Sequence, residues 1–429
     1  MEPALSRAGF WSLEQFTLPR TPASPDTPHS GLNVTALSSH RSPEYTVRQM
    51  QIAVNSLSYQ SSRRLFARLA RIAAALLLPV FCLAHAQVKG AETLRIYAID
   101  VEGGQSTLLV APSGESLLVD TGWPGSDGRD AGRIQAAMKD AGITRIDHLL
   151  ITHFHVDHVG GVPNLVARVP VGEFLDHGEN REDSDITRHD YAAYLKAIDG
   201  KPRRIVHSGD TISIAGLGAI VLTADGDHIA AIPGIKPTPN PYCDTEPKWD
   251  LDETENPRSA GVLVTFGKFR FLDLGDLTKA KEIPLVCPEN LIGKVDVYLV
   301  NHHGFNLYNS KAFVDAIHPR VAIMDNGAHK AGSPEAWQTV QESPGLEDLY
   351  MLHTAEGSDA AHNSPDPLIA NLKGGSDGSW VKVVAARDGS FQVTNARTGQ
   401  TKVYPRESRK TASNAKDDSW LNGRRDAQP

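Results

Sequence analysis

Cysteine is scarce in this chain, which has only Cys82, Cys243 and Cys287 among its 429 residues. No two of them are close enough in sequence to supply the paired thiolates of a structural zinc site, so a zinc-finger type of protein is excluded. Cys243 and Cys287 are able to form one disulfide in an oxidising compartment. Their spacing does not fix the geometry of a bond, so the bonded and free states both stay open.

Long hydrophobic runs are also missing. The apolar run at 72–84 has 13 residues, whereas a membrane-spanning helix needs about 20. Arginines precede this run, and Ala84-His85-Ala86 after it is typical of a signal-peptide cleavage site. The Ser-Arg-Arg-x-Phe pattern at 62–66 resembles a twin-arginine export signal. We therefore expect no stable membrane span, an export signal over 50–86, and a periplasmic or secreted mature protein that starts near Gln87.

The two ends of the chain lack apolar periodicity. Residues 1–49 are rich in Ser, Pro and Thr, which is typical of disorder. Met50 lies just upstream of the signal, so the alternative is that translation starts there and 1–49 precede the true start. Residues 405–429 are polar and are expected to form a disordered tail. These boundaries leave residues 87–404 as the folded domain.

An excess of positive charge is absent as well. The whole chain has a formal net charge of −8, and residues 87–429 carry 35 basic against 47 acidic side chains. This balance disfavours nucleic acid and anionic membranes as partners, although a local basic patch stays open. A small-molecule or ester substrate is the expected partner, and the sequence does not specify an oligomeric state.

The pattern of strands and helices repeats in style across the two halves of the chain. Strands at 93–99, 106–110 and 116–120 precede a helix at 129–141 and a strand at 146–151. In the second half, a hairpin at 262–274 precedes alternating strands and helices. Hairpins followed by alternating elements, twice over, predict an α/β (α+β) fold with two mixed sheets packed face to face and helices outside.

The segment His153-Phe154-His155-Val156-Asp157-His158 places four metal-binding side chains in six residues, directly after an apolar strand. His153 and His155 point the same way in an extended loop, and Asp157 and His158 then turn toward a second position. One segment thus feeds two neighbouring metals. The alternative, a surface His-rich tract, fits this strand-loop-glycine context poorly.

This segment resembles the H-x-H-x-D-H signature of the metallo-β-lactamase fold superfamily, and Asp120 resembles that superfamily's earlier Asp motif. The likeness implies an αββα four-layer sandwich, with Asp120 orienting a ligand histidine. Over about 94–395 the chain is most similar to the soluble hydrolase domain of the ComEC family. The stretches behind this likeness are D-V-E-G-G-Q-S at 100–106, which departs from D-V-G-Q-G-D-S in the middle, F-L-D-L-G-D-L at 271–277, and N-H-H-G at 301–304.

The resemblance implies Asp276 as the carboxylate between two metals, against the alternative of a helix cap. His302 or His303 completes the second metal; we favour His302 as the ligand and give His303, like Asp157, a catalytic role. The third ligand of the first metal is His177 or His228, with His177 favoured and a solvated loop histidine as the alternative for each. His353 is a weaker candidate for the same place, and His148, inside a strand, is predicted to be structural.

These residues predict an exported hydrolase that uses a hydroxide bound by two divalent metal ions. Zinc is the expected metal, and manganese or iron fits the same ligands. The ComEC likeness favours a phosphodiester or related ester as substrate, with β-lactamase or lactonase as the enzymatic alternative. A binding module that holds metal without turnover is the alternative of another class. The acidic, Pro-rich loop at 231–258 is either a lid or a surface insertion.

Overall fold

Residues 92–243, 252–373 and 377–406 are described in a computed structural model of the protein. They belong to one unit, Val88–Pro429. The predicted segments 1–49 and 50–86 lie outside the described residues, as do 407–429 of the predicted tail and Asp244, Glu246 and Asp250 of the acidic loop. The predicted domain boundaries therefore stay predictions.

Nineteen strands run through the described residues. In chain order they are β1 (Thr93–Ala98), β2 (Thr107–Val110), β3 (Ser116–Val119), β4 (Ile146–Leu150), β5 (Val171–Asp176), β6 (Arg203–Ile205), β7 (Gly218–Ala224), β8 (Asp227–His228), β9 (Thr238–Pro239), β10 (Gly261–Phe266), β11 (Phe269–Asp273), β12 (Glu289–Asn290), β13 (Val297–Leu299), β14 (Val321–Met324), β15 (Asp348–His353), β16 (Ile369–Asn371), β17 (Val381–Ala386), β18 (Phe391–Asn395) and β19 (Thr401–Tyr404).

Seven α-helices accompany them in the same part of the chain. They are α1 (Arg129–Ala141), α2 (Val156–Val159), α3 (Val162–Val166), α4 (Asp185–Ala197), α5 (Lys279–Val286), α6 (Lys311–Ile317) and α7 (Pro334–Gln341). None of these helices has the length and apolar character that a bilayer crossing requires.

Seventeen of the strands form two large mixed sheets, and β9 pairs separately with β12. The first has the order β19-β18-β17-β1-β2-β3-β4-β5-β6, and the second has the order β16-β15-β14-β13-β11-β10-β7-β8. Strands β3 to β6 are parallel to one another, as are β11, β13, β14, β15 and β16 in the second sheet. The hairpin strands are antiparallel, which confirms the predicted mixture.

Adjacent residues of the central strands face different cores. Leu117 and Phe271 pack into the core between the sheets. Their neighbours point the other way: Leu118 packs toward α1 and α3, and Leu272 packs toward α5 and α6. Because both faces of each sheet are covered, neighbouring residues such as Leu117 and Leu118 are both apolar instead of alternating with polar ones. Two inner sheets with helices on both outer faces confirm the predicted αββα sandwich.

The chain after β4 forms two short helices, α2 and α3. Gly160 and Gly161 lie between them, where the chain passes too close to its neighbours for a side chain. A Cβ on Gly160 would lie 2.4 Å from the Pro124 ring, and one on Gly161 would lie 2.1 Å from the Thr121 carbonyl oxygen. This close approach holds the His/Asp segment against the loop that follows β3.

Candidate metal centre

The His/Asp segment follows β4, an interior strand of the first sheet. His155 is extended (φ −68°, ψ 148°) and precedes α2, so His153 and His155 lie on extended chain while Asp157 and His158 lie on the first helical turn. His153 and His158 are fully buried. A change from strand to helix within six residues thus aims the two pairs of side chains at adjacent positions, as the spacing predicts.

The second sheet supplies the other groups from the ends of β11 and β13. Asp276 follows β11, and the turn Asn301–Gly304 follows β13. His302, His303 and Gly304 have φ values of 50°, 55° and 82°. Left-handed backbone is unfavourable for histidine, and such strain is typical of functional sites. The turn places two consecutive imidazoles beside the Asp276 carboxylate.

Two groups of potential ligands share one residue. The first cluster is His153, His155 and Asp276, and the second cluster is Asp157, His158, Asp276 and His303, with the ligand atoms of each cluster within 4.8 Å of one another. His158 Nε2 lies 3.2 Å from Asp276 Oδ2, and His303 Nε2 lies 3.2 Å from Asp157 Oδ2. The shared carboxylate lies where a bridging ligand is needed.

The second cluster contains buried polar atoms that a cation would satisfy. His158 Nε2, His303 Nε2 and Asp276 Oδ1 are buried, and although carboxylate oxygens or imidazole nitrogens lie nearby, none of the three atoms makes a hydrogen bond of acceptable geometry within the described residues. Buried polar groups normally are hydrogen-bonded, and exceptions in a His/Asp cluster indicate a site for an ion. The donor set therefore fits a pair of divalent metals.

At His153 and Asp276 the electrostatics favour the protonation states that metal binding requires. Burial, together with the neighbouring His158 and His155, lowers the pKa of His153 well below its usual value, which keeps that imidazole neutral. Burial opposes ionisation of Asp276, but nearby histidines outweigh it and hold its pKa well below the usual range. The shared carboxylate is therefore ionised. At His158 and His303 burial lowers the pKa, but nearby carboxylates, Asp276 foremost, outweigh it and raise the pKa, to about 9 for His303, so a bound cation would have to displace a proton there.

Asp120 anchors His158 from behind. Its carboxylate accepts hydrogen bonds from Thr152 N at 2.8 Å and Thr152 Oγ1 at 2.6 Å, and it lies 2.7 Å from His158 Nδ1. Burial raises the pKa of Asp120 above its ordinary value, although these contacts oppose the rise. The contact with Nδ1 leaves His158 Nε2 to face the second cluster, which is the orienting arrangement predicted for Asp120.

We expect Asp120→Asn to weaken metal affinity and activity by about 10- to 100-fold, because it removes the charged group that orients His158. Metal titration with a competing chelator measures this loss. Asp147→Asn is a suitable control, since Asp147 also accepts hydrogen bonds from a neighbouring strand, at Ser116, but lies in neither cluster. Equal metal affinity in the Asp120 variant and the control would contradict the orienting role.

The structure separates His302 from His303. The sequence favoured His302 as the ligand of the second metal and His303 as a catalytic residue. In the structure His303 is fully buried within the second cluster, and its Nδ1 lies 3.3 Å from Asp325. His302 Nε2 lies 3.3 Å from Asp276 Oδ2, but its side chain is 16% exposed and it belongs to neither cluster.

The structure does not bring the proposed third ligand to the first cluster. His177 is buried, with its Nε2 2.9 Å from a Glu255 oxygen, and Glu255 also accepts from the amides of Phe154 and Arg181. His177 thus supports the loop beneath the His/Asp segment. Its rival His228 is exposed on the edge strand β8.

The other two histidines lie in ion-pair networks. His353 lies 2.7 Å from Asp100, whose carboxylate also lies 3.0 Å from Arg133. Asp100, Glu102 and His353 form a third group of potential ligands, in which the Arg133 guanidinium already pairs with Asp100. His148 lies within β4, 3.1 Å from Glu173, as expected of a structural residue.

Two charged residues at the site were missed by the sequence analysis. Glu182 lies 2.8 Å from His155 Nε2, which leaves His155 Nδ1 to face His153 at 3.0 Å. Lys330 forms an ion pair with Asp157. Nothing in the local sequence marks either residue, because each comes from a loop far along the chain.

The acidic loop is tied to the body of the domain. Glu255, inside the predicted loop at 231–258, is fully buried beneath the His/Asp segment. Cys243 and Cys287 form a disulfide that links the loop to the end of α5. The described parts of the loop therefore support the site from one side.

Comparison with known proteins agrees with this geometry. Residues 100–249, which contain Asp120 and the whole His/Asp segment, match the family model of the metallo-beta-lactamase superfamily. This match confirms the predicted resemblance for that part of the chain.

Relatives within this superfamily are distant. Recombination protein 2 of Haemophilus influenzae is 24% identical over 55% of this chain and 24% of its own length, which is consistent with the ComEC likeness. An atrochrysone carboxyl ACP thioesterase of Aspergillus terreus is 39% identical over 16% of this chain and 20% of its own length. A solved metal-dependent hydrolase of the beta-lactamase superfamily is 14% identical, covers 61% of this chain and 96% of its own, and has a TM-score of 0.35. The chain spans about a quarter or less of these two curated relatives.

Proposed function

We propose that this protein is an exported metal-dependent hydrolase that acts on a phosphodiester or a related ester. The observation that carries the proposal is the pair of clusters that share Asp276. Two neighbouring ligand groups with a common carboxylate are the arrangement of a two-metal site, and a two-metal site is suited to hydrolysis.

Each cluster has a distinct role in the proposal. His153 and His155 would hold one cation, and Asp157, His158 and His303 would hold the other, with Asp276 between them. Two bound divalent cations would supply Lewis acidity that activates water and stabilises charge on the leaving oxygen. Imidazole and carboxylate ligands favour zinc, and metal analysis of the purified protein tests that choice.

His302 is the side chain best placed to meet the substrate. It is beside Asp276 at the more exposed edge of the site. Burial lowers the pKa of His302 to about 4, so the imidazole is neutral near pH 7 and can accept or donate a hydrogen bond. We therefore exchange the two roles favoured from the sequence and assign the catalytic contact with substrate to His302.

A hydrolysis panel tests the substrate class. The full chain, loaded with zinc, manganese or iron, is assayed on a bis-ester phosphate, a thioester, a lactone and a cephalosporin. Turnover of the phosphate diester above the others supports the proposal, and preference for the lactone or cephalosporin supports the alternative hydrolases. Bound metal without turnover of any substrate would favour a binding module.

Export is the second part of the proposal. The disulfide between Cys243 and Cys287 supports it, because such bonds persist mainly in oxidising compartments. Fusion of residues 50–90 to a reporter, with Arg63 and Arg64 changed to Lys, tests the route. We expect the double change to block export, and unchanged export would contradict the twin-arginine reading.

A further inference from the structure

Lys330 brings a positive charge to the second cluster. Its Nζ forms an ion pair with Asp157 Oδ2 and lies 5.0 Å from the centre of a Trp123 ring. The Lys330 side chain is 26% exposed, so it lies at the border between the site and solvent. A cation at this place faces whatever binds at the second cluster.

The backbone of Lys330 is held by two loops that pack closely against each other. A Cβ on Gly103 would lie 2.8 Å from the Gly327 nitrogen, and one on Gly327 would lie 2.7 Å from the Glu102 carbonyl oxygen. The Gly327 amide donates to the Lys330 carbonyl over 3.0 Å, which closes a tight turn. Lys330 therefore starts from a fixed backbone, unlike a lysine on a free surface loop.

Trp123 places a second hydrogen-bond donor at the same corner, next to Gly104. A Cβ on Gly104 would lie 2.4 Å from the Asp157 carbonyl oxygen and 3.1 Å from Trp123 Nε1. Trp123 Nε1 is buried and has no hydrogen-bond partner among the described residues. An indole N–H and an ammonium group thus lie on the Asp157 side of the site.

This corner coincides with a departure in the sequence. Gly103 stands where the D-V-G-Q-G-D-S motif has glutamine. Any side chain at this position would collide with Gly327 and displace the loop that carries Lys330. The glycine at position 103 therefore allows the loop that carries Lys330 to lie where it does.

The role of Lys330 depends on what else neutralises Asp157. The ammonium group is the counter-charge of that carboxylate, together with His158. Once Asp157 ligates a cation, its charge is shared, and the ammonium is left beside a positive site with an unpaired charge. An anion would pair with both the Lys330 ammonium group and the cation of the second cluster.

We propose that Lys330 selects substrates that carry a negative charge next to the scissile bond, by binding a non-bridging oxygen of a phosphodiester. This inference rests on the proposed hydrolytic function and narrows its substrate to an anionic ester. Lys330 acts as a specificity residue, since a neutral ester offers its ammonium group no negative charge to pair with.

The chain offers a matched control at Lys382. Its Nζ pairs with Asp140 at 2.6 Å and lies 5.0 Å from the centre of the Tyr97 ring, and its side chain is 23% exposed. Lys382 thus makes the same two kinds of contact as Lys330 at similar exposure, but its partners belong to neither metal cluster.

The experiment compares Lys330→Met and Lys382→Met in the full, metal-loaded chain. Calorimetry measures the binding of inorganic phosphate, and kinetics compares bis(4-nitrophenyl) phosphate with the neutral ester 4-nitrophenyl acetate. We expect Lys330→Met to weaken phosphate binding by about 10- to 100-fold, the range for losing one hydrogen bond to a charged group. It should raise KM for the anionic diester by a similar factor and change KM for the neutral ester less than threefold.

The two proposals fail in different ways. Unchanged phosphate binding in Lys330→Met, or equal losses in Lys330→Met and Lys382→Met, would overturn the role of Lys330. An equal loss of turnover on both esters would do so too, since it would show a structural effect. If the unmodified protein hydrolyses neither ester while Lys330→Met still weakens phosphate binding, the proposed hydrolysis fails and the anion site stands.

Discussion

Exchange of Asp276 for alanine is expected to abolish metal-dependent turnover and to lower the metal content of the protein. Asp276 is the one residue common to both clusters, and its Oδ2 lies 3.2 Å from His158 Nε2 and 3.7 Å from His153 Nε2. Removing a shared ligand weakens both sites at once. The loss in kcat/KM should therefore exceed the roughly 10- to 100-fold effect of changing a residue that only orients a ligand.

Metal analysis by mass spectrometry and steady-state kinetics measure this result together. Asp210→Ala makes the same change of charge in a surface turn, where Asp210 accepts a hydrogen bond from the His207 amide, and should leave metal content unchanged. Thermal unfolding of both metal-free variants shows whether the fold persists. Activity and two metals retained in Asp276→Ala would refute the bridging assignment.

The second large effect separates two adjacent histidines. His303→Ala should lose the metal of the second cluster, because His303 Nε2 lies 3.2 Å from Asp157 and 3.5 Å from Asp276 within that cluster. His302→Ala should keep both metals and lose turnover through a poorer contact with substrate. The expected loss in kcat/KM is more than 100-fold for His303 and smaller for His302, since the first change removes a ligand.

The two variants serve as controls for each other, because they make the same truncation in the same strained turn. Metal content and kcat/KM are measured for both. Loss of one metal in His302→Ala with full occupancy in His303→Ala would restore the assignment that the sequence favoured. Equal metal loss in both variants would indicate that the turn, rather than one imidazole, forms the site.

The regular elements were predictable where their patterns are strong. The predicted helix at 129–141 has the bounds that the structure shows. The amphipathic helix ends before Gly142, which adopts the left-handed conformation at the helix end. Local signals of this kind act over a few residues and therefore survive in a single sequence.

Other elements carry misleading local signals. Helix α5 (Lys279–Val286) was missed, and Pro284 lies inside it, against the usual pattern of a helix. Strand β19 (Thr401–Tyr404) was also missed, because an exposed edge strand lacks the apolar alternation of a half-buried one. Pairing with β18 stabilises it, and pairing is a property of the sheet.

The fold class and the convergence of the four metal-binding side chains in the His/Asp segment can be predicted from the amino-acid sequence alone. Four ligand types in six residues after an apolar strand can converge without help from distant residues, because a strand-to-helix change aims them. Which distant residues contact these four side chains depends on tertiary packing. His303 reaches the second cluster through left-handed backbone at two consecutive residues, while β5 carries His177 away to Glu255. Lys330 and Asp157 are 173 residues apart in the sequence, and they meet because the loop at Gly103 packs against the loop at Gly327. No local pattern encodes a contact between residues so far apart in the chain.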